Sequence, residues 1–299
     1  MARMSFNKLY ALIDDGHGQG HWDDYKPWLW VHRKNSSPRS NQHVARVPGY
    51  QRRLHFFASQ EREIALLCKH LGGPQLDVRE QFPMWPMKHD HPLAIRPSND
   101  RYQKVRGLLE ISEEAGIDHG WYVGAPNVPY VASMDLMCSV HGKTATSIHG
   151  LSIKPHDKVK AAEPTDRILE RHELERRYMN EIGGSFKIVD RSIINRTFWT
   201  NLRRAADAAL NVPLEGSCQI DDFFGEVERL AQLGFSEAIR LASSCVGIPY
   251  ETAQSTFFAG VWHRRILIDM SQPLAGRQPI HVDRGMADEV CVELFGCRL

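Results

Sequence analysis

The 299-residue chain lacks the cysteine spacing of a zinc ribbon: its six cysteines (Cys68, Cys138, Cys218, Cys245, Cys291 and Cys297) include no C-x-x-C pair. They also outline no disulfide framework, which predicts reduced, mostly buried thiols in a cytoplasmic protein. No stretch approaches the roughly 20 apolar residues of a membrane span. The opening residues, Met1 to Phe6, carry no apolar signal core. A net charge of +1 excludes a uniformly basic nucleic-acid binder, although a local basic face can be balanced by acid elsewhere. No internal repeat is apparent. The apolar share of 42% is that of an ordinary globular protein, and the length suits two domains.

Chemistry is concentrated in two neighbouring strands. Met134 to Cys138 reads as a short buried strand carrying Asp135, and Leu151 to Lys154 as a second one ending in a lysine, with a tight turn at His141-Gly142-Lys143 between them. An acid on one strand and a lysine at the end of the next suit a metal-dependent nuclease. The acid holds a divalent cation, and the ammonium neutralises charge or orients the attacking water. The alternative is a surface Asp beside a solvated Lys.

Around this pair the pattern is mixed α/β. A short helix over 6–15 gives way to the glycine-rich stretch Gly16 to His21, where His17 and His21 are expected as exposed imidazoles because three glycines disfavour a helix. An anchored extended segment over 24–31 precedes a basic loop with Arg39, Arg46, Arg52 and Arg53 that could track phosphates. Ser59 is the expected cap of a helix over 60–71, with Ile64, Leu67, Cys68 and Leu71 as its buried face. Glu63 borders that face and can point into a cleft, and Glu61 competes for the same role. A strand over 76–82 is expected to end at Pro83, and a helix capped by Ser98 to run over 99–115. His89 and His91 lie in a proline-bounded loop, where exposure is more common than metal ligation. A charged helix over 166–182 has Ile168, Leu174, Tyr178 and Ile182 as its apolar seam. Its arginines (Arg167, Arg171, Arg176 and Arg177) either face DNA or pair with nearby glutamates. A strand over 186–189 follows.

Past about residue 192 the pattern turns helical, with helices expected over 197–210, 220–233, 236–245 and 251–262. Apolar stretches over 265–270 and 280–282 then suit a two-stranded ribbon. That order is the winged-helix layout, which serves DNA binding or protein docking; His263, Arg264, Arg265 and Arg277 supply its positive charge.

Several ordered motifs resemble the TnsA family, the endonuclease subunits of heteromeric cut-and-paste transposons that also use TnsB and TnsC. They are Gly18-Gln19-Gly20-His21, Asp24-Tyr25, Pro27-Trp28-Leu29 with Val31, Ser36-Ser37, Arg39-Ser40 and Asp77-Val78-Arg79-Glu80-Gln81-Phe82-Pro83. Further along come Gly116-Ile117-Asp118-His119, Asp135, Ile153-Lys154-Pro155 and Glu173-Leu174-Glu175-Arg176-Arg177-Tyr178. The resemblance runs from about residue 16 to 195 and continues weakly beyond. It implies a restriction-endonuclease-like core over 1–192, with 1–58 a partly irregular extension, and a winged-helix domain over 193–299. It implies catalytic Glu63, Asp135 and Lys154, with Mg2+ (or Mn2+ in its place) held by Glu63, Asp135 and the backbone carbonyl of Ile153. Ser152 stands where the family has Gln and related nucleases a second acid, and the loop after Pro155 is longer than usual.

The implied activity is nicking of the 5′ strands at transposon ends, while a TnsB-like transposase cuts and joins the 3′ strands and a TnsC-like ATP-dependent regulator docks on the C-terminal domain. A free-standing nuclease and a catalytically silent subunit bridging transposase and regulator are the alternatives. The expected setting is the prokaryotic cytoplasm, at the nucleoid when assembled and with no membrane partner.

Overall fold

The computed structural model describes residues 4–32, 42–94, 102–143, 145–154, 166–214, 218–283 and 285–299. The chain divides into two compact units: Met1–Ala45, Tyr50–Ala65 and Pro74–Asp190 in the first, and Arg46–Gly49, Leu66–Gly73 and Arg191–Leu299 in the second.

The first unit opens with α1 (Phe6–Asp14), whose Ser5 cap accepts from the Lys8 amide. Then come β1 (His43–Ala45), β2 (Leu54–Phe56) and the first turns of α2 (Ser59–Gly72), a helix whose residues from Leu66 on belong to the second unit. After β3 (Leu76–Met84) and α3 (Leu108–Ala115), a small hairpin of β4 (Trp121–Tyr122) and β5 (Ala125–Pro129) leads into β6 (Ala132–His141) and β7 (Thr146–Ile153). Helix α4 (Asp166–Glu181) then precedes β8 (Ser185–Val189). The principal sheet has the order β3-β6-β7-β8. Its first two pairings are antiparallel, the second across the short β6–β7 connection, and β7–β8 is parallel, which requires the long crossover that includes α4. Leu174, Tyr178, Met179 and Ile182 share one apolar core with Phe82, Met84, Met134, Met137 and Ile148. Gly150 lets α4 approach the sheet, since a Cβ there would lie 2.8 Å from the Met179 sulfur.

Several elements depart from expectation. Strand β3 runs through Pro83, which pairs with Ser133, because β3 is an edge strand and a missing N–H is tolerated there. Helix α3 starts at Leu108 rather than near residue 99: Val105 bridges to His89, and Gly107 packs so close to Pro86 that a Cβ would sit 2.2 Å from its carbonyl oxygen. Ser98 lies outside the described residues. Ile168 is 43% exposed, so the apolar seam of α4 begins only at Leu174.

The second unit carries α5 (Arg196–Ala209), α6 (Cys218–Arg229), α7 (Phe235–Val246), α8 (Tyr250–Trp262) and α9 (Met286–Phe295). Phe235, Phe257 and Phe258 form an edge-to-face aromatic core. The Asn201 amide donates to the carbonyls of Met270 and Gln272, pinning the segment after α8. Where a two-stranded ribbon is expected, the described residues hold a single antiparallel bridge, Ile268 to Val282. Among the described residues no helix is long and apolar enough to cross a membrane. The six cysteines form no disulfide among the described residues, and only Cys68, Cys138 and Cys291 are buried.

Candidate active site

Asp135 lies within β6. The register Glu80 to Leu136 and Phe82 to Met134 sets Gln81 beside it on β3, and the pair Leu136–Leu151, carried one step further, sets Ser152 beside it on β7. Lys154 follows the end of β7, where its amide donates to Val189 of β8 at 3.0 Å. That anchor directs its side chain back to the acid, with Nζ 3.0 Å from Asp135 Oδ2. The Ile153 amide donates to the same oxygen at 2.7 Å. The tight hairpin thus brings Asp135 and Lys154 together, and the atom of Ile153 that touches Asp135 is its N–H.

Two further carboxyls feel Asp135. Glu61, in the first turn of α2, accepts from the Phe57 amide at 2.9 Å and from Gln81 Nε2 at 3.3 Å. Burial first, and then the charge of Asp135, push its carboxyl up to about 8, while Lys154 acts in the opposite sense. Glu175 on α4 is 1% exposed and pairs with Arg171 at 3.1 Å. Burial raises its pKa, the Arg171 guanidinium lowers it, and Asp135 raises it further. Arg171 also donates to the Ser133 carbonyl on β6, which ties α4 to the strand that carries Asp135.

Glu63 is buried as well, but it lies two residues beyond Glu61, about 200° around the helix. Glu61 is an acid on which the charge of Asp135 acts. Ser152 is fully buried, and its hydroxyl makes no hydrogen bond among the described residues.

The donor set suits a hard, hydrated cation. The buried Glu61 carboxyl, costly to ionise in the field of Asp135, is relieved by positive charge, and magnesium needs only one or two acids because it keeps several waters. Among the described residues, no three His, Cys, Asp or Glu side chains are gathered as a ready-made metal cluster. Asp135 is instead neutralised by Lys154.

The other sequence candidates serve the fold. Nδ1 of His17 lies 2.8 Å from the Pro27 carbonyl oxygen and its ring stacks on Trp30, while His21 faces the buried Asp77, so neither is an exposed loop imidazole. His89 stacks on Tyr178 with its Nε2 2.9 Å from the hydroxyl, and His91 Nε2 approaches the Ile182 carbonyl. Arg52 is no phosphate contact: it forms a two-pronged pair with the fully buried Glu80. Residues 33–41 of the basic loop lie outside the described residues. The arginines of α4 pair within their helix, Arg167 with Glu170, Arg171 with Glu175, and Arg176 and Arg177 with Glu173.

Sequence reasoning gave Glu175 no role, although the residue carried a signal. It falls one place after Leu174 and three before Tyr178, so a charge occupies the buried seam.

A mixed sheet flanked by helices, with an acid inside one strand and a lysine at the end of its neighbour, is consistent with a nuclease-like core. Comparison with known proteins supports a TnsA-like chain: it is 31% identical over 182 residues to "Transposon Tn7 transposition protein TnsA" of Escherichia coli. The match takes in 60% of this chain and 56% of the relative, so the chain spans little more than half of that protein's length. No family model matches the chain.

Proposed function

We propose that the chain is the DNA endonuclease subunit of a cut-and-paste transposase, nicking the 5′ strands at transposon ends while a TnsB-like partner cuts and joins the 3′ strands. The observation that carries this reading is the Asp135 carboxylate held 3.0 Å from Lys154 Nζ with Glu61 in its field, in a chain similar to TnsA. Phosphodiester hydrolysis needs an activated water and stabilisation of added negative charge on the phosphate. Asp135 would hold a magnesium ion, with manganese able to replace it, and the second acid would come from α2. A bound magnesium would supply acidified water and charge screening at the phosphate. Glu61 is the α2 acid we favour because the charge of Asp135 acts on it; Glu63, which the resemblance implies, is the alternative. The Ile153 carbonyl completes the proposed ligand set. Lys154 brings a compact positive charge that would neutralise the attacked phosphate or orient the water.

In this reading, residues 1–192 form the nuclease domain and residues 193–299 a winged-helix domain that docks a TnsC-like ATP-dependent regulator. The assembly would work in the cytoplasm, at the nucleoid. The test is strand nicking of end-bearing DNA, with Mg2+ and the partner proteins present, by wild type and Asp135→Ala. Loss of 5′ nicking in the variant is expected, and undiminished nicking would remove Asp135 from the site. A second reading, a catalytically silent bridging subunit, is favoured by Ser152, a neutral side chain where related nucleases carry a second acid. In that case the wild type and the variant would support the partner's 3′ cutting equally, with no 5′ nick from either.

A further inference from the structure

Gln81 has a backbone that its position does not explain. Three non-glycine residues among those described have positive φ: Trp22, Gln81 and Arg264. Trp22 opens a short 3-10 turn and Arg264 follows the end of α8, whereas Gln81 lies in the middle of β3, with φ at 49°. A side chain in this left-handed region is disfavoured, and such residues persist where surrounding contacts over-determine them. The contacts here are specific. Its carbonyl accepts from the Trp28 amide at 3.2 Å, which fixes the peptide. Its side-chain amide bridges two elements: Nε2 donates to Glu61 Oε2 on α2 at 3.3 Å, and Oε1 accepts from Ser133 Oγ on β6 at 3.2 Å. The side chain is buried, and the residue stands beside Asp135 in the sheet.

We infer that Gln81 is a positioning residue: its left-handed backbone aims the amide away from the usual strand direction, so that it clamps the Glu61 carboxylate toward Asp135. This rests on the reading of Glu61 and Asp135 as the acids of the nuclease site. The competing account is that Glu61 only closes the first turn of α2 by reaching back to the Phe57 amide, as capping glutamates do. That contact alone leaves the carboxylate one anchor, about which it can swing. The amide of Gln81 supplies the second anchor and a fixed direction.

The test uses the full-length protein with two substitutions. Gln81→Met keeps length and apolar volume but removes the bridge. Gln81→Gly removes the bridge and accepts positive φ freely. A crystal structure of Gln81→Met is expected to show the Glu61 carboxylate displaced by about 1 Å or more, a shift large enough to disable a reacting geometry. Manganese titration followed by electron paramagnetic resonance is expected to show about tenfold weaker binding in both variants. Gln81→Gly should do so with its thermal midpoint unchanged or raised, whereas a purely structural role predicts that affinity and midpoint fall together. A Glu61 carboxylate unmoved in the Gln81→Met structure, with manganese affinity equal to wild type, would overturn the inference. If the wild type binds no manganese, the metal reading of the site falls, and the position of the carboxylate alone decides the role of Gln81. If the glycine variant does not fold, the methionine variant decides.

Discussion

Replacing Glu61 by glutamine should make the cation-free protein more stable, although it removes a group from the site. The Glu61 carboxyl is pushed up to about 8 from an ordinary 4.5, by burial and then by Asp135. At 1.36 kcal/mol for each tenfold change in proton affinity, the upper bound on the cost of ionising it in the folded state is about 5 kcal/mol. Relaxation and water entry reduce this to roughly 2 kcal/mol. Between about pH 4.5 and pH 8 the folded protein keeps a proton that the unfolded chain releases, so this group makes stability fall as pH rises through that window. Above pH 8 the whole penalty is present. The substituted amide would keep a side-chain oxygen for the Phe57 N–H and carry no charge. Urea unfolding in chelator should therefore show Glu61→Gln more stable than wild type by about 2 kcal/mol at pH 9, with the two converging near pH 5. Equal stability at pH 9, or an undiminished slope with pH in the variant, would refute the account of the acid pair.

Other substitutions test separate parts of the structure. Lys154→Ala should lower nicking by about 10²- to 10³-fold, because it removes a charge aimed at the reacting phosphate. Its thermal midpoint should stay close to that of wild type, since the side chain is 23% exposed; a loss of fold would place Lys154 among the structural residues instead. Arg52→Met should cost about 3–5 kcal/mol, because it leaves the fully buried Glu80 carboxylate without its two-pronged partner; unfolding within a degree of wild type would contradict this. Gly150→Ala should cost roughly 1–3 kcal/mol by forcing a methyl against the sulfurs of Met134 and Met179, and calorimetric unfolding measures it directly.

Much of the first unit was legible because its signals are local. A tight turn between two strands sets their register, so the meeting of Asp135 with Lys154 follows from the sequence around His141 to Lys143. Helix α2 was readable from Ile64, Leu67, Cys68 and Leu71, all buried. The sequence leaves Glu61 and Glu63 both in contention for the site, since both flank that buried stripe. The passage of β3 through Pro83 was hidden for a related reason, because sequence does not reveal that β3 lies at a sheet edge. The early start expected for α3 failed on packing at Gly107, which periodicity does not register. The histidines at 17, 21, 89 and 91 read as loop residues, yet they serve as buried or half-buried connectors between distant segments. Glu175 and Gln81 stood inside recognisable motifs, but the burial that makes them informative appears only once the sheet is assembled.

The most direct test of the metal-dependent site is calorimetric titration of Mn2+ into the full-length protein bound to duplex DNA, compared across wild type, Asp135→Ala, Glu61→Gln and Glu63→Gln. Saturable binding in wild type and in Glu63→Gln, lost in Asp135→Ala and weakened in Glu61→Gln, is the predicted result. Indistinguishable isotherms for wild type and Asp135→Ala would contradict it and leave the silent bridging subunit as the better reading.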